Sequence, residues 1–62
     1  MENKYDIYLK GHNDMYKSNY QDINKFDGFD KTIYKLGWHH AKLRNTFTKQ
    51  EFELWLSKNL MN

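Results

Sequence analysis

Few residues in this chain are of a type that can do chemistry. Three histidines, His12, His39 and His40, are present and there is no cysteine. His39 and His40 are adjacent, so on a helix their rings diverge by about 100°, whereas a chelating pair needs spacing i and i+4. A zinc site would have to join His12 to loop carboxylates. The acids Asp22, Asp27 and Asp30 do not have the spacing of a calcium loop. Ser18 and Ser57 have no base close in sequence to activate them. Glu51 and Glu53 form the one close carboxylate pair, and Glu51 is already claimed by a helix cap. Gly11, Gly28 and Gly37 are isolated, so no phosphate-cradling glycine loop exists. So short a chain also has little room for a cleft of about 300 Å³. These absences predict no catalytic residue, no metal and no cofactor, hence a protein that is not an enzyme.

What remains is a charged surface. The net charge is only +2, but residues 31–45 carry Lys31, Lys35, Lys42 and Arg44 with no acid among them. On a helix, Lys31, Lys35, His39 and Lys42 fall within roughly 80° of one another, with Trp38 at the border. Lysine is an ordinary way to make a helix face polar. It is also a way to meet an acidic partner or a phosphate chain, with the indole stacking on a base or packing against protein. Lysines are point charges, and only Arg44 offers a bidentate fork, which argues against base-specific reading of DNA. A helix-turn-helix role is further disfavoured because Glu51 and Glu53 lie in the first turns of the last helix. The candidate partner-binding residues are Lys31, Lys35, Trp38, His39, Lys42 and Arg44.

Three helices must position this surface. Thr48-Lys49-Gln50-Glu51 reads as a capping box, with Phe47 and Phe52 placed as a hydrophobic staple. Phe52, Trp55, Leu56 and Leu60 then recur at helical spacing, which predicts a helix over about 49–60. Asp30 is a plausible N-cap for a helix over about 30–44, whose apolar face is Ile33, Leu36, Gly37, His40 and Leu43. Tyr34 and Ala41 flank that face, and Asn45 is a reasonable stop. A first helix over about 3–17 carries the stripe Tyr5, Tyr8, His12 and Met15. Gly11 inside it costs ~1 kcal/mol relative to Ala. That cost is explained if another backbone approaches closely, and Gly37 invites the same explanation; the two glycines are expected near one crossing. Residues 18–29 form a long connection. Asn19, Asn24 and Asp27-Gly28 are turn chemistry, but Tyr20, Ile23, Phe26 and Phe29 should fold back onto the core, with a helical turn near 20–24.

The expected fold is therefore all-α, one small three-helix domain over residues 1–62 with a long aromatic connection between the first two helices. A chain this short buries roughly 60% of its unfolded surface. Five Tyr, four Phe and two Trp compensate for the missing disulfides, each burying ~150–250 Å². Self-association into a homodimer would be another route to stability. No apolar run approaches 18 residues, which excludes a membrane span. The N-terminal residues lack the pattern of a signal peptide, so a cytoplasmic location is expected. Heavy use of Lys, Asn, Tyr, Phe and Ile fits an AT-rich coding genome, such as that of a bacterium, a phage or a mobile element.

The order Tyr34-Lys35-Leu36-Gly37-Trp38-His39-His40-Ala41 resembles the second helix of the ribosome modulation factor family: aromatic, two residues, Gly-Trp, two residues, Ala. Tyr8-Leu9-Lys10-Gly11-His12 is similar to the Gly-aromatic stretch of that family's first helix. The resemblance covers about residues 8–41. The chain lacks the family's Cys-Pro-Tyr element and most of its arginines, and it adds a third helix. The resemblance implies a small basic helical protein that binds the small ribosomal subunit and favours inactive ribosome dimers. From the residues themselves, the first expectation is a small binding protein of phage or mobile-element type that modulates or inhibits a larger protein complex. Ribosome or RNA binding is the alternative.

Overall fold

A computed structural model describes residues 3–17 and 23–60. It contains α1 (Lys4–Met15), a 3₁₀ turn (Ile23–Lys25), α2 (Gly28–Lys42) and α3 (Lys49–Leu60), with no strand among the described residues. The all-α, three-helix expectation holds.

Each helix end has a local cause. α1 starts at Asn3, whose side chain accepts the Asp6 N–H at 2.9 Å, leaving one fewer orphan donor in the first turn. α2 begins two residues earlier than expected. Its N-cap is Asp27, not Asp30. Gly28 takes φ +58, a left-handed value that glycine adopts without strain, and so swings the chain into the helix. Asp30 lies instead in the first turn, where it accepts Lys4 Nζ at 2.8 Å. The far end of α2 is a Schellman motif. Arg44 is left-handed at φ 56. The Asn45 N–H donates to His40 O at 2.8 Å and the Arg44 N–H to Ala41 O at 3.0 Å. The stop therefore falls on Arg44, one residue before the expected Asn45. α3 begins with the capping box as read: Thr48 N–H donates to Glu51 Oε1 at 2.9 Å, and Glu51 N–H to Thr48 Oγ1 at 3.1 Å.

The core is the crossing of α1 on α2. A Cβ built on Gly11 would lie 2.0 Å from Tyr34 O, and one on Gly37 would lie 1.9 Å from Tyr8 O. Each glycine lets the other helix's backbone settle where a side chain would stand, as their placement predicted. Around this contact Ile7, Tyr8, Ile33, Tyr34, Ala41 and Phe52 are buried. The buried face of α1 is Ile7, Tyr8, Gly11 and Asp14. Of the expected stripe only Tyr8 belongs to it; Tyr5, His12 and Met15 are half-buried beside it. The aromatic spacing misplaced the centre of that face because the glycine, not the rings, turns toward α2. On α2 the flanking Tyr34 and Ala41 are inside, while Leu43, expected inside, is 75% exposed because the helix has ended before it.

The connection does cover the core. Phe26 meets the Tyr34 ring at 5.4 Å, and Phe29 stacks on Trp55 at 5.9 Å. A helical turn is found at 23–25; residues 18–22, including the rest of the turn expected near 20–24, lie outside the described residues, as do the side chains of Ile23 and Leu60. α3 packs through buried Phe52 and half-buried Trp55 and Leu56, leaving Leu54 61% exposed. Phe47 and Phe52 both pack on the Tyr8 ring, at 5.8 and 5.4 Å.

Candidate functional site

The crossing turns one side of α2 inward and fixes the other outward. Lys35, His39 and Lys42 are exposed, and Lys31 and Trp38 are half-buried. Positions 31, 35, 38, 39 and 42 follow the i, i+4, i+7, i+8, i+11 rhythm of one helical stripe. At 1.5 Å per residue the stripe runs roughly 16 Å. Lys42 Nζ sits 5.6 Å from the Trp38 ring centroid, and His39 meets the indole edge-on at 5.5 Å. The cation–π contact is worth about 0.5–1 kcal/mol at an exposed site. It tethers the Lys42 charge over the indole and covers one of its faces. Arg44 is exposed but lies past the helix, in the Schellman stop, so it extends the stripe rather than sharing its face. Lys31, Lys35, Lys42 and Arg44 form no ion pair with the described residues. Their charge is turned to solvent, where it is screened beyond about 8–10 Å.

The three histidines go separate ways. His39 points out beside Trp38. His40 turns inward, with Nδ1 2.7 Å from the Tyr8 hydroxyl. His12 Nε2 lies 2.7 Å from Thr46 Oγ1 and 3.3 Å from Asn45 O. Burial first, then the neighbouring His12 and His39, lowers the pKa of His40 below its ordinary 6.5. Among the described residues no three His, Asp or Glu side chains are grouped to hold a metal ion. Ser57 is exposed on α3 and Glu51 is held in the cap.

One polar group escaped the sequence reading. Asp14 is 2% exposed and accepts the Tyr34 hydroxyl in a short hydrogen bond. Its only signal was position: it stands three residues after Gly11 and seven after Ile7, on the face that the glycine turns inward. Enclosed in this way, the Asp14–Tyr34 pair offers no access to a substrate and ties α1 to α2.

The fold has more hollow space than its length led us to expect. A cavity of about 680 Å³, open to solvent, lies between the start of α1 and α3. Tyr5, Phe52 and Leu56 supply apolar walls, and Asn3, Lys4, Lys49 and Glu53 supply the polar ones. Lys4 is engaged by Asp30, the Tyr5 hydroxyl donates to Phe47 O, and no histidine, serine or threonine is among the lining residues.

Fold and face together define a small all-α domain with a one-sided basic helix. No helix is long and apolar enough to cross a membrane among the described residues. No family model, curated protein or solved structure matches the chain.

Proposed function

We propose that this chain is a non-enzymatic docking domain that presents the outer face of α2 to an acidic surface on a larger protein assembly and modulates or inhibits it. One observation carries the proposal: an acid-free basic row runs along the outer side of α2, with Lys35, His39 and Lys42 exposed and Lys31 and Trp38 half-buried among them, on a helix whose opposite side is locked by backbone contact. Such a face is pre-organised, so little ordering entropy opposes binding beyond that of the lysine side chains. Trp38 is the natural anchor, since interface energy concentrates in Trp, Tyr and Arg. By analogy with small accessory proteins, the chain would belong to a phage or mobile element and act in the cytoplasm; its composition fits an AT-rich genome of bacterial, phage or mobile-element origin.

A second reading is binding to the ribosome or to RNA. It rests on the resemblance of residues 8–41 to the ribosome modulation factor family, a stretch that includes Gly11 and Gly37; packing of two helices through small residues would account for the same likeness. Against it, the Lys42 ammonium already covers a face of the indole that a base would need.

Salt and nuclease separate the two. The tagged protein is used to capture partners from its host, with and without nuclease, and the purified complex is titrated with salt. Contacts of Lys31, Lys35 and Lys42 with three phosphates give a slope near −2 in log K against log salt, roughly a 20-fold loss between 50 and 200 mM. A protein interface anchored on Trp38 survives nuclease and weakens much less. The triple replacement Lys31→Glu, Lys35→Glu, Lys42→Glu should abolish RNA binding and leave a protein interface anchored on Trp38 much less affected; undiminished capture by a correctly folded variant that also carries Trp38→Ala would remove the α2 face from the function.

A further inference from the structure

The buried oxygen of Tyr8 holds together all three parts of the fold. The Tyr8 ring is fully buried. Its hydroxyl accepts the Phe47 N–H at 2.8 Å and lies 2.7 Å from His40 Nδ1. The amide can only donate, and the hydroxyl proton needs an acceptor; among the described residues the acceptor in reach is His40 Nδ1, which serves when its lone pair is free. In that arrangement His40 is neutral, with its proton on Nε2. Tyr8 retains its proton, since burial, the largest influence on it, raises its pKa above the usual 10. A charged His40 would aim a second N–H at the same oxygen and leave the Tyr8 proton without its acceptor.

What depends on this oxygen is the docking of α3. The segment before α3 is held to α1 by Tyr8 at Phe47 N, by Tyr5, whose hydroxyl donates to Phe47 O at 2.9 Å, and by His12 at Asn45 and Thr46. Beyond these bonds the described part of α3 contributes one fully buried side chain, Phe52. We propose that Tyr8, His40 and Phe47 form an acid-released latch, in which protonation of His40 frees the 45–48 segment and lets α3 leave the α1–α2 pair.

The surroundings of His40 set the direction. From α1 it faces Tyr8, with Tyr5 and His12 close by; on α2 its neighbour is His39; the ring of Phe47 stands edge-on at 4.6 Å. Glu51, at the start of α3, acts on Tyr8 but is not among the groups that shift His40. Among the described residues no carboxylate is thus placed to reward a charged His40 in the docked form. His12 is placed differently: its Nε2 faces a hydroxyl and a carbonyl, and an Nε2–H can donate to either, Thr46 Oγ1 or Asn45 O. The folded pKa of His40 is below the unfolded 6.5. Its contribution to docking is therefore complete above about 6.5 and is lost as the pH falls from there toward the folded value.

The test follows Trp55 fluorescence in the full chain carrying Trp38→Phe, from pH 7.5 to 5.0. Trp55 stacks on Phe29 and Phe52, so release exposes it and shifts its emission to the red. The same titration is run with His40→Gln added, which keeps an acceptor and cannot titrate, and with His12→Gln. The latch requires a red shift in the parent and in His12→Gln, and a flat profile in His40→Gln. A parent without a shift, or a shift that persists in His40→Gln, overturns it. If His40→Gln does not fold, nitrogen NMR of the unmodified chain decides. Nδ1 must be the bare nitrogen at neutral pH, and protection of the Phe47 amide must fall by up to about tenfold per pH unit below 6.5. An Nδ1–H tautomer or unchanged protection refutes the latch.

Discussion

Replacing Gly11 or Gly37 by alanine tests whether backbone contact builds this fold. In a free helix either change is favourable by about 1 kcal/mol, because alanine loses less conformational freedom than glycine. Here the added methyl would stand 2.0 Å from Tyr34 O at position 11 and 1.9 Å from Tyr8 O at position 37. The obstructing atoms are backbone carbonyls, so no side chain can rotate away. To restore even a 3.0 Å contact, α1 and α2 must part by about 1 Å. A gap of that size forfeits roughly half of the dispersion energy of the facing atoms. It also stretches the Tyr34–Asp14 and Tyr8–His40 hydrogen bonds. Overpacking costs about 1–3 kcal/mol, and unyielding backbone atoms put these clashes at the top of that range, so after the helix-propensity gain of about 1 kcal/mol each single variant should lose about 2 kcal/mol. A domain of this length has roughly 3–9 kcal/mol to lose, and 2 kcal/mol corresponds to a drop of roughly 10 °C in Tm. Because one displacement relieves both clashes, the double variant should lose less than the sum of the singles. Thermal and urea unfolding followed by circular dichroism read all three quantities. A single variant that melts higher than the parent would refute the crossing.

Other perturbations probe other parts of the fold. Arg44→Gly should raise stability by about 1 kcal/mol in urea unfolding, since it removes a side chain from a left-handed position; on the proposed function the same change weakens docking, so the two readouts should move in opposite directions. Thr48→Ala should cost about 1 kcal/mol through loss of the cap, and an unchanged urea midpoint would contradict the box. Tyr34→Phe leaves the buried Asp14 carboxylate short of a donor and should cost about 2–3 kcal/mol, against about 1 kcal/mol for Tyr5→Phe, whose partner is a neutral, part-exposed carbonyl; chemical denaturation of the pair gives the order. Lys4→Met should change stability by less than about 1 kcal/mol, because the Lys4–Asp30 pair is about 40% exposed on each side.

The parts of this structure that were legible in the sequence are those fixed by local chemistry. The α3 cap needed only Thr48 and Glu51 at the right spacing, and both hydrogen bonds formed. The glycine crossing was legible because a helix-interior glycine is costly unless something needs the space. The start of α2 was not, because Asp27 and Asp30 are equally good caps by type. What decided between them was Gly28, whose left-handed turn begins the helix early, and Lys4, which draws Asp30 into an ion pair from a distant segment. The buried face of α1 was misjudged for a related reason. Tyr5, Tyr8, His12 and Met15 look like a core stripe, yet three of them only flank it. The candidate surface was legible as a stripe of like charge. Its neighbour Trp38 was read as stacking on a base or packing against a protein partner; that Lys42 lies over its ring was not legible. Asp14 and the Tyr8–His40–Phe47 trio depend on residues 20 to 39 positions apart, a separation that no local pattern encodes.

The meeting of α1 and α2 through main chain has a consequence for how such a protein can change over generations. Side-chain interiors resist substitution because each residue is shaped to its neighbours. Here the tightest point demands only that positions 11 and 37 stay bare, a requirement that says nothing about the residues on the outer side of α2. Drift or selection can therefore rewrite Lys31, Lys35 and Lys42 with little penalty to folding. On the proposed function, this would make the protein a convenient chassis: the docking face could be exchanged while the scaffold is inherited intact.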